Sequence, residues 1–238
     1  MNTLIGNFKQ DLLLLKSEIK TVYTSNNNIE PLYDGPLNPE EYFTCHENGK
    51  KKILWLLKEP YGIEESGSSL EDWFSDPEFA QKDKHTLTLK RIAYIFFGIL
   101  NNKLSDDIDY LNPDMIREMK YIAWVNIQKI PKKDDWKTND AEIIAAYNNA
   151  NIRTVLKKQI ELLQPDIIIC GNTFKIVCDD LLKSDYIGSF GDTDYRIRNQ
   201  SIVIDAYHPS YYKGENNEKI YINNVLHAVN AGFENLSA

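Results

Sequence analysis

Four short apolar runs, ILWLL at 53–57, YIAWVN at 121–126, DIIIC at 166–170 and SIVIDA at 201–206, are separated by stretches whose apolar residues recur at helical spacing. Short runs rich in β-branched and aromatic residues read as buried strands, and a period near 3.6 reads as an amphipathic helix. Helices are expected at about 4–22, 87–101, 141–163, 173–183 and 219–233, with Pro165 stopping the third. Strands alternating with helices imply right-handed crossovers and a mainly parallel sheet covered on both faces. The predicted fold class is therefore α/β, a three-layer α/β/α sandwich around a mainly parallel four-stranded sheet.

No linker rich in Pro, Gly or Ser divides the 238 residues, and 42% of them are hydrophobic, enough to fill a sizeable core. A single domain over 1–238 is expected, with an N-terminal helical extension over about 1–45. Pro31, Pro36 and Pro39 interrupt the polar loop that follows the first helix. No apolar stretch reaches the roughly 18 residues of a membrane span, and the N-terminal Leu run is mixed with charges as in an amphipathic helix. The expectation is a soluble, unprocessed cytoplasmic chain without a membrane partner. Cys45, Cys170 and Cys178 are odd in number and lack metal-ligand spacing, which suits thiols in a reducing compartment.

The net charge of −8, from 27 basic and 35 acidic side chains, is the wrong sign for non-specific nucleic-acid binding, so any such contact must be local. Two basic clusters are available, Lys50, Lys51 and Lys52 before the first strand, and Lys129, Lys132, Lys133 and Lys137 after the second.

In an open α/β sheet the ligand lies outside the carboxyl ends of the strands. Those ends carry Lys58-Glu59-Pro60-Tyr61-Gly62, Asn126-Ile127-Gln128-Lys129, Gly171-Asn172-Thr173 and His208-Pro209-Ser210. This set, over roughly residues 50–230, resembles the uracil-DNA glycosylase superfamily. There the first strand ends in a short acidic or polar motif with Pro, a later strand delivers an Asn, another ends in a Gly-containing turn, and the last ends in His-Pro-Ser.

The resemblance implies hydrolytic removal of uracil or a related altered base from DNA, a base-excision repair reaction without a cofactor. Glu59 would orient water and face the sugar cation, and His208 would hydrogen-bond the departing base; both are the expected catalytic residues. Glu59 is one methylene longer than the family's Asp. Asn126 would read the base, since its amide presents an acceptor and donors matching uracil. Tyr61 would exclude the thymine methyl, and either Trp73 or Phe74 would stack on the base. Ser210 and Lys50, Lys51 and Lys52 would hold phosphates, and Tyr211 and Tyr212 would probe the duplex. The iron-sulfur branch needs four cysteines, so neither a cluster nor any other metal is expected.

Each residue also has a plainer reading: Glu59 as a surface carboxylate, His208 as a turn residue, Asn126 as a partner for loop backbone. Glu64, Glu65, Glu71 and Asp72 in the first loop would repel phosphate, which favours single-stranded or mismatched DNA over a perfect duplex. The alternative is a catalytically silent or repurposed member of the fold that binds a nucleotide, a nucleic-acid end or a protein.

Overall fold

The apolar residues of the first segment, Phe8, Leu12, Leu15, Ile19 and Tyr23, fall three or four positions apart and form the buried stripe of helix α1 (Asn2–Asn27). The computed structural model describes residues 2–27, 30–60, 87–109, 113–132, 138–211 and 217–237. After α1 come the short strand β1 (Gly35–Pro36) and helix α2 (Pro39–Thr44), whose start is fixed by the Asn38 side chain accepting from Glu41 N at 3.1 Å. The chain continues through β2 (Ile53–Leu57), α3 (Leu87–Asn101), α4 (Pro113–Glu118) and β3 (Ile122–Asn126). Helices α5 (Asp140–Asn148) and α6 (Ala150–Leu163) lead to β4 (Ile167–Gly171) and the short α7 (Phe174–Val177). A hairpin of β5 (Asp185–Phe190) and β6 (Thr193–Arg198) precedes β7 (Ser201–Ala206), and α8 (Asn217–Ser237) closes the order.

The sheet corrects the predicted fold class. Among the described residues it has seven strands in the order β1-β3-β2-β4-β7-β6-β5, and it is mixed rather than mainly parallel around four. Strands β3, β2, β4 and β7 run parallel, whereas β1 is antiparallel to β3, and β6 and β5 extend the other side antiparallel to β7. The additions escape an apolar-run reading for physical reasons. Strand β1 is two residues long, and β5 is mostly exposed, with Tyr186 and Ile187 outward. Gly191 and Asn199, both at φ +55, make the turns on either side of β6. The pairing of β5 with β6 shifts register between Tyr186 and Gly188.

Period-two alternation splits the core between the two faces of the sheet. Ile53, Trp55, Leu57, Ile167, Ile169, Ile202 and Ile204 pack with α3 and α8, while Leu54, Leu56, Val125, Ile168, Cys170 and Val203 pack with α1 and α6. The helix expected at 141–163 is broken at Asn149, which is extended (φ −69, ψ 118) and whose side chain accepts from Asn151 N and Ile152 N. Among the described residues, no helix is long and apolar enough to cross a membrane.

A buried ion pair ties these elements at the β1 side. The Lys129 ammonium lies 2.5 Å from Asp34 Oδ1, and both side chains are 0% exposed. Gln159 Nε2 of α6 donates to Asp34 Oδ1 at 3.0 Å and to its carbonyl at 2.9 Å. Asn126 donates to Oδ2 through its backbone N at 2.6 Å and its Nδ2 at 3.2 Å. Burial pulls the Lys129 ammonium down from its ordinary range, and the Asp34 carboxylate pulls it back.

Removing one member of a buried pair strands the other charge. Asp34→Ala should therefore cost about 3–5 kcal/mol in urea unfolding. Lys129→Met should cost less, because the Asp34 carboxylate keeps its donors from Asn126 and Gln159. The reverse order of the two midpoints would show that the pair is not the anchor.

Candidate functional site

In the strand order, β3 lies on one side of β2 and β4 on the other, so the chain changes direction across β2. Such a reversal opens a crevice at the carboxyl ends of the flanking strands. Gly171 ends β4 there, and a Cβ on it would collide with Leu57 Cδ2 and stand 3.2 Å from Pro209 Cδ. A side chain there would push Leu57 aside and crowd the loop after β7 at Pro209, so glycine lets the ends of β2, β4 and β7 lie close together. Asn172 follows in a left-handed conformation (φ +59), with its N–H on Ala206 O at 2.7 Å. Thr173 Oγ1 donates to Leu56 O at 2.9 Å, which returns the turn to β2.

The loop at 207–211 is held firmly. Arg91, 1% exposed on α3, donates from Nη1 to Pro209 O at 2.5 Å and to Tyr211 O at 2.9 Å. Glu218 of α8 sits 3.4 Å from Arg91 Nε and 2.8 Å from Lys90 Nζ. Tyr221 OH donates to Tyr207 O at 2.8 Å, and Tyr211 N to His208 O at 2.8 Å. Arg91 was not singled out from the sequence. Its one signal is a lone guanidinium inside the apolar pattern LTLKRIAYIFFGIL, which obliges it to find acceptors when buried.

That loop fixes the state of His208. Ser210 N lies 3.1 Å from Nδ1, and a backbone N–H can only donate, so Nδ1 is the acceptor and the proton of the neutral ring sits on Nε2. Ser210 Oγ is 2.7 Å from the same nitrogen. Desolvation, followed by the nearby Lys58 ammonium, pulls the imidazole down to about 4. Lys58 is itself nearly buried and paired with the exposed Asp140 carboxylate at 2.5 Å. The structure thus brings the ends of β2 and β7 within electrostatic reach of each other.

Glu59 is buried beside Lys58, in a segment whose carbonyls continue the pairing with the β3 side: Gln128 N to Lys58 O at 2.8 Å and Lys132 N to Pro60 O at 3.1 Å. Asn126 is also buried, but its amide faces inward, donating to Asp34 and accepting from Trp124 Nε1 at 3.4 Å. Lys50, Lys51 and Lys52 lie at the amino end of β2, a strand length from the crevice. Lys50 is 3.5 Å from Glu118, Lys51 covers the Phe233 ring at 5.0 Å, and Lys52 covers Phe43 at 5.4 Å. Tyr61, Trp73, Phe74 and Tyr212 lie outside the described residues, as do the acidic loop and Lys133 and Lys137.

The rings of Tyr207 and Tyr211 stack at 4.8 Å with 21° between planes, and Tyr211 is 45% exposed. Beside them Tyr221, Asp192, Asn217 and Asn224 enclose a cavity of about 130 Å³. Among the described residues no group of three or more His, Cys, Asp or Glu side chains is placed to hold a metal ion.

No protein-family model matches the chain, and no curated protein matches it. The resemblance to the uracil-DNA glycosylase superfamily therefore does not stand, and with it go the base-excision reaction, the enzyme assignment and the repair role. The seven-stranded mixed sheet of the described residues departs from the expected four-stranded parallel one. The amide assigned to base reading is occupied inside the Asp34 network.

His208 should titrate in NMR with a pKa near 4, well below the ordinary value. Because the folded pKa is depressed, the associated stability is complete above about pH 6.5 and is lost as pH falls toward 4. A titration near 6.5 would show a solvated ring. Arg91→Met should destabilise the fold by about 1–3 kcal/mol per stranded carbonyl, read from urea unfolding, and raise the His208 pKa as its loop opens.

Proposed function

We propose that the crevice edge around His208 binds a nucleotide unit of single-stranded DNA. The observation that carries this reading is the exposed Tyr211 ring, stacked on Tyr207 and next to a neutral imidazole on a loop clamped by Arg91. An exposed aromatic face is a platform for any base, whatever its sequence. The Nε2–H of His208 is a neutral donor suited to a base carbonyl, because pairing it requires no desolvation of a charged imidazolium. Lys58 lies at the same edge, with its charge balanced by Asp140 at 2.5 Å. Clamping the loop before the ligand arrives lowers the ordering cost of binding.

The charge of −8 argues for modest affinity and a partner whose bases are already unstacked, single-stranded or mismatched rather than perfectly paired. A cytoplasmic location is part of the same proposal. Cys45, Cys170 and Cys178 are free thiols, and burial lifts Cys45 to about 11.

Fluorescence anisotropy with a labelled oligothymidine at low salt tests the reading. Tyr211→Ala should weaken binding by about 5- to 150-fold, in line with roughly 1–3 kcal/mol per stacked base. Duplex of the same length should bind more weakly. Unchanged affinity in the variant, or preference for duplex, would refute the assignment.

A further inference from the structure

Away from the crevice, a cavity of about 250 Å³ opens between α1 and the β1 edge of the sheet. Its α1 wall carries Leu12, Leu13 and Ile19, and Pro36 and Pro39 extend the apolar lining from the segment beyond. Leu13 is 65% exposed although it lines this space, so a large aliphatic surface is left in water. The charged lining is uneven in sign where solvent reaches it. The Asp34 side chain is 0% exposed, and its carboxylate is already matched by Lys129 and by N–H groups of Asn126 and Gln159. Lys9 and Lys16 stand about two helical turns apart on α1, and both line the same cavity. The Lys9 ammonium is 2.9 Å from Glu40, the chain neighbour of Pro39, and both side chains of that pair are largely open to water. A pair so exposed is held weakly, and an ammonium has three N–H groups, so neither lysine must surrender a partner to receive a further anion.

We infer that this cavity binds a small amphipathic anion, a free medium-chain carboxylate whose apolar tail lies along Leu12, Leu13 and Ile19 and whose head meets the ammonium groups of Lys9 and Lys16. Tail contact stabilises the complex by releasing water from the aliphatic wall. The volume falls below the roughly 300–1,000 Å³ of sites for drug-sized molecules, which suits a single short chain. Selectivity rests on the sign of the head, because a cationic head on the same tail meets two like charges at close range.

The test uses the full chain, labelled with ¹⁵N, titrated separately with octanoate, with octylammonium and with acetate, which keeps the head and lacks the tail. Octanoate should give saturable shifts at the amides of Leu12, Leu13, Lys16 and Gly35. Octylammonium should bind there about 2- to 30-fold more weakly, the range that two exposed charge contacts supply, and acetate should give no saturable shifts at those amides. Raising the salt concentration should narrow the gap between the two tailed probes. Lys9→Gln combined with Lys16→Gln should remove the preference for octanoate, and Glu40→Gln, which takes away a carboxylate competing for Lys9, should tighten octanoate by about 1.4- to 5-fold. The wild-type comparison of probes stands without the variants should any of them fail to fold. Equal affinity for the two tailed probes, saturable shifts confined to other regions, acetate matching octanoate, or no saturable octanoate binding would each overturn the inference.

Discussion

The charge on Asp34 cannot be carried into the interior alone, and much of the architecture on the β1 side follows from how it is neutralised. One carboxylate collects Lys129 from the loop after β3, the end of β3 itself through Asn126, and α6 through Gln159. The same loop is held by Leu32 N on Lys129 O at 2.8 Å and by Tyr23 OH on Ile127 O at 2.7 Å. Three stretches far apart in sequence, 23–34, 126–129 and the part of α6 around Gln159, thereby meet at one point beside the apolar cluster that Tyr23, Ile127 and Ile160 share. A buried pair of this kind contributes little net stability, because its desolvation cost offsets most of the attraction, yet loss of either partner is costly.

A second fixed point lies across the sheet. Arg91 reaches from α3 to two carbonyls of the loop after β7, while Gly171 permits that loop to sit against β4 and β2. The two devices act differently. The guanidinium satisfies backbone oxygens that a buried loop would otherwise leave bare, and the missing Cβ removes an obstacle to contact. Between them they hold the imidazole of His208 in one tautomer beside Lys58.

How much of this was legible in the sequence depends on distance along the chain. Strands at 53–57 and 201–206 coincide with the observed ones, since a run of five buried residues in the first and Ile202, Val203 and Ile204 buried in the second leave an unambiguous pattern. The third central strand starts one residue later than its apolar run suggests, because Asp166 turns its carboxylate to Lys52 N at 2.7 Å and His46 Nε2 at 2.7 Å. The helix expected at 173–183 shrinks to Phe174–Val177, and the hairpin at 185–198 was invisible because its exposed face weakens the alternation. At the proposed site, Glu59, Asn126 and His208 lie at or within two residues of the ends of β2, β3 and β7. What each touches was not legible: the inward turn of Asn126 depends on Asp34, 92 residues earlier, and the hold on Pro209 comes from Arg91, 118 residues earlier.

The register shift in β5 bears on how the molecule meets its own copies. A sheet is open at its two outer strands, whose unpaired backbone groups can template a further strand from another chain. Here one outer strand is only two residues long and ends in Pro36, which has no N–H to offer, and the other is interrupted where the pairing slips between Tyr186 and Gly188. Neither border presents a long regular ladder. The exposed rings and aliphatic groups of β5 are therefore carried on a strand whose geometry discourages endless lateral extension, a built-in brake on fibrous self-association.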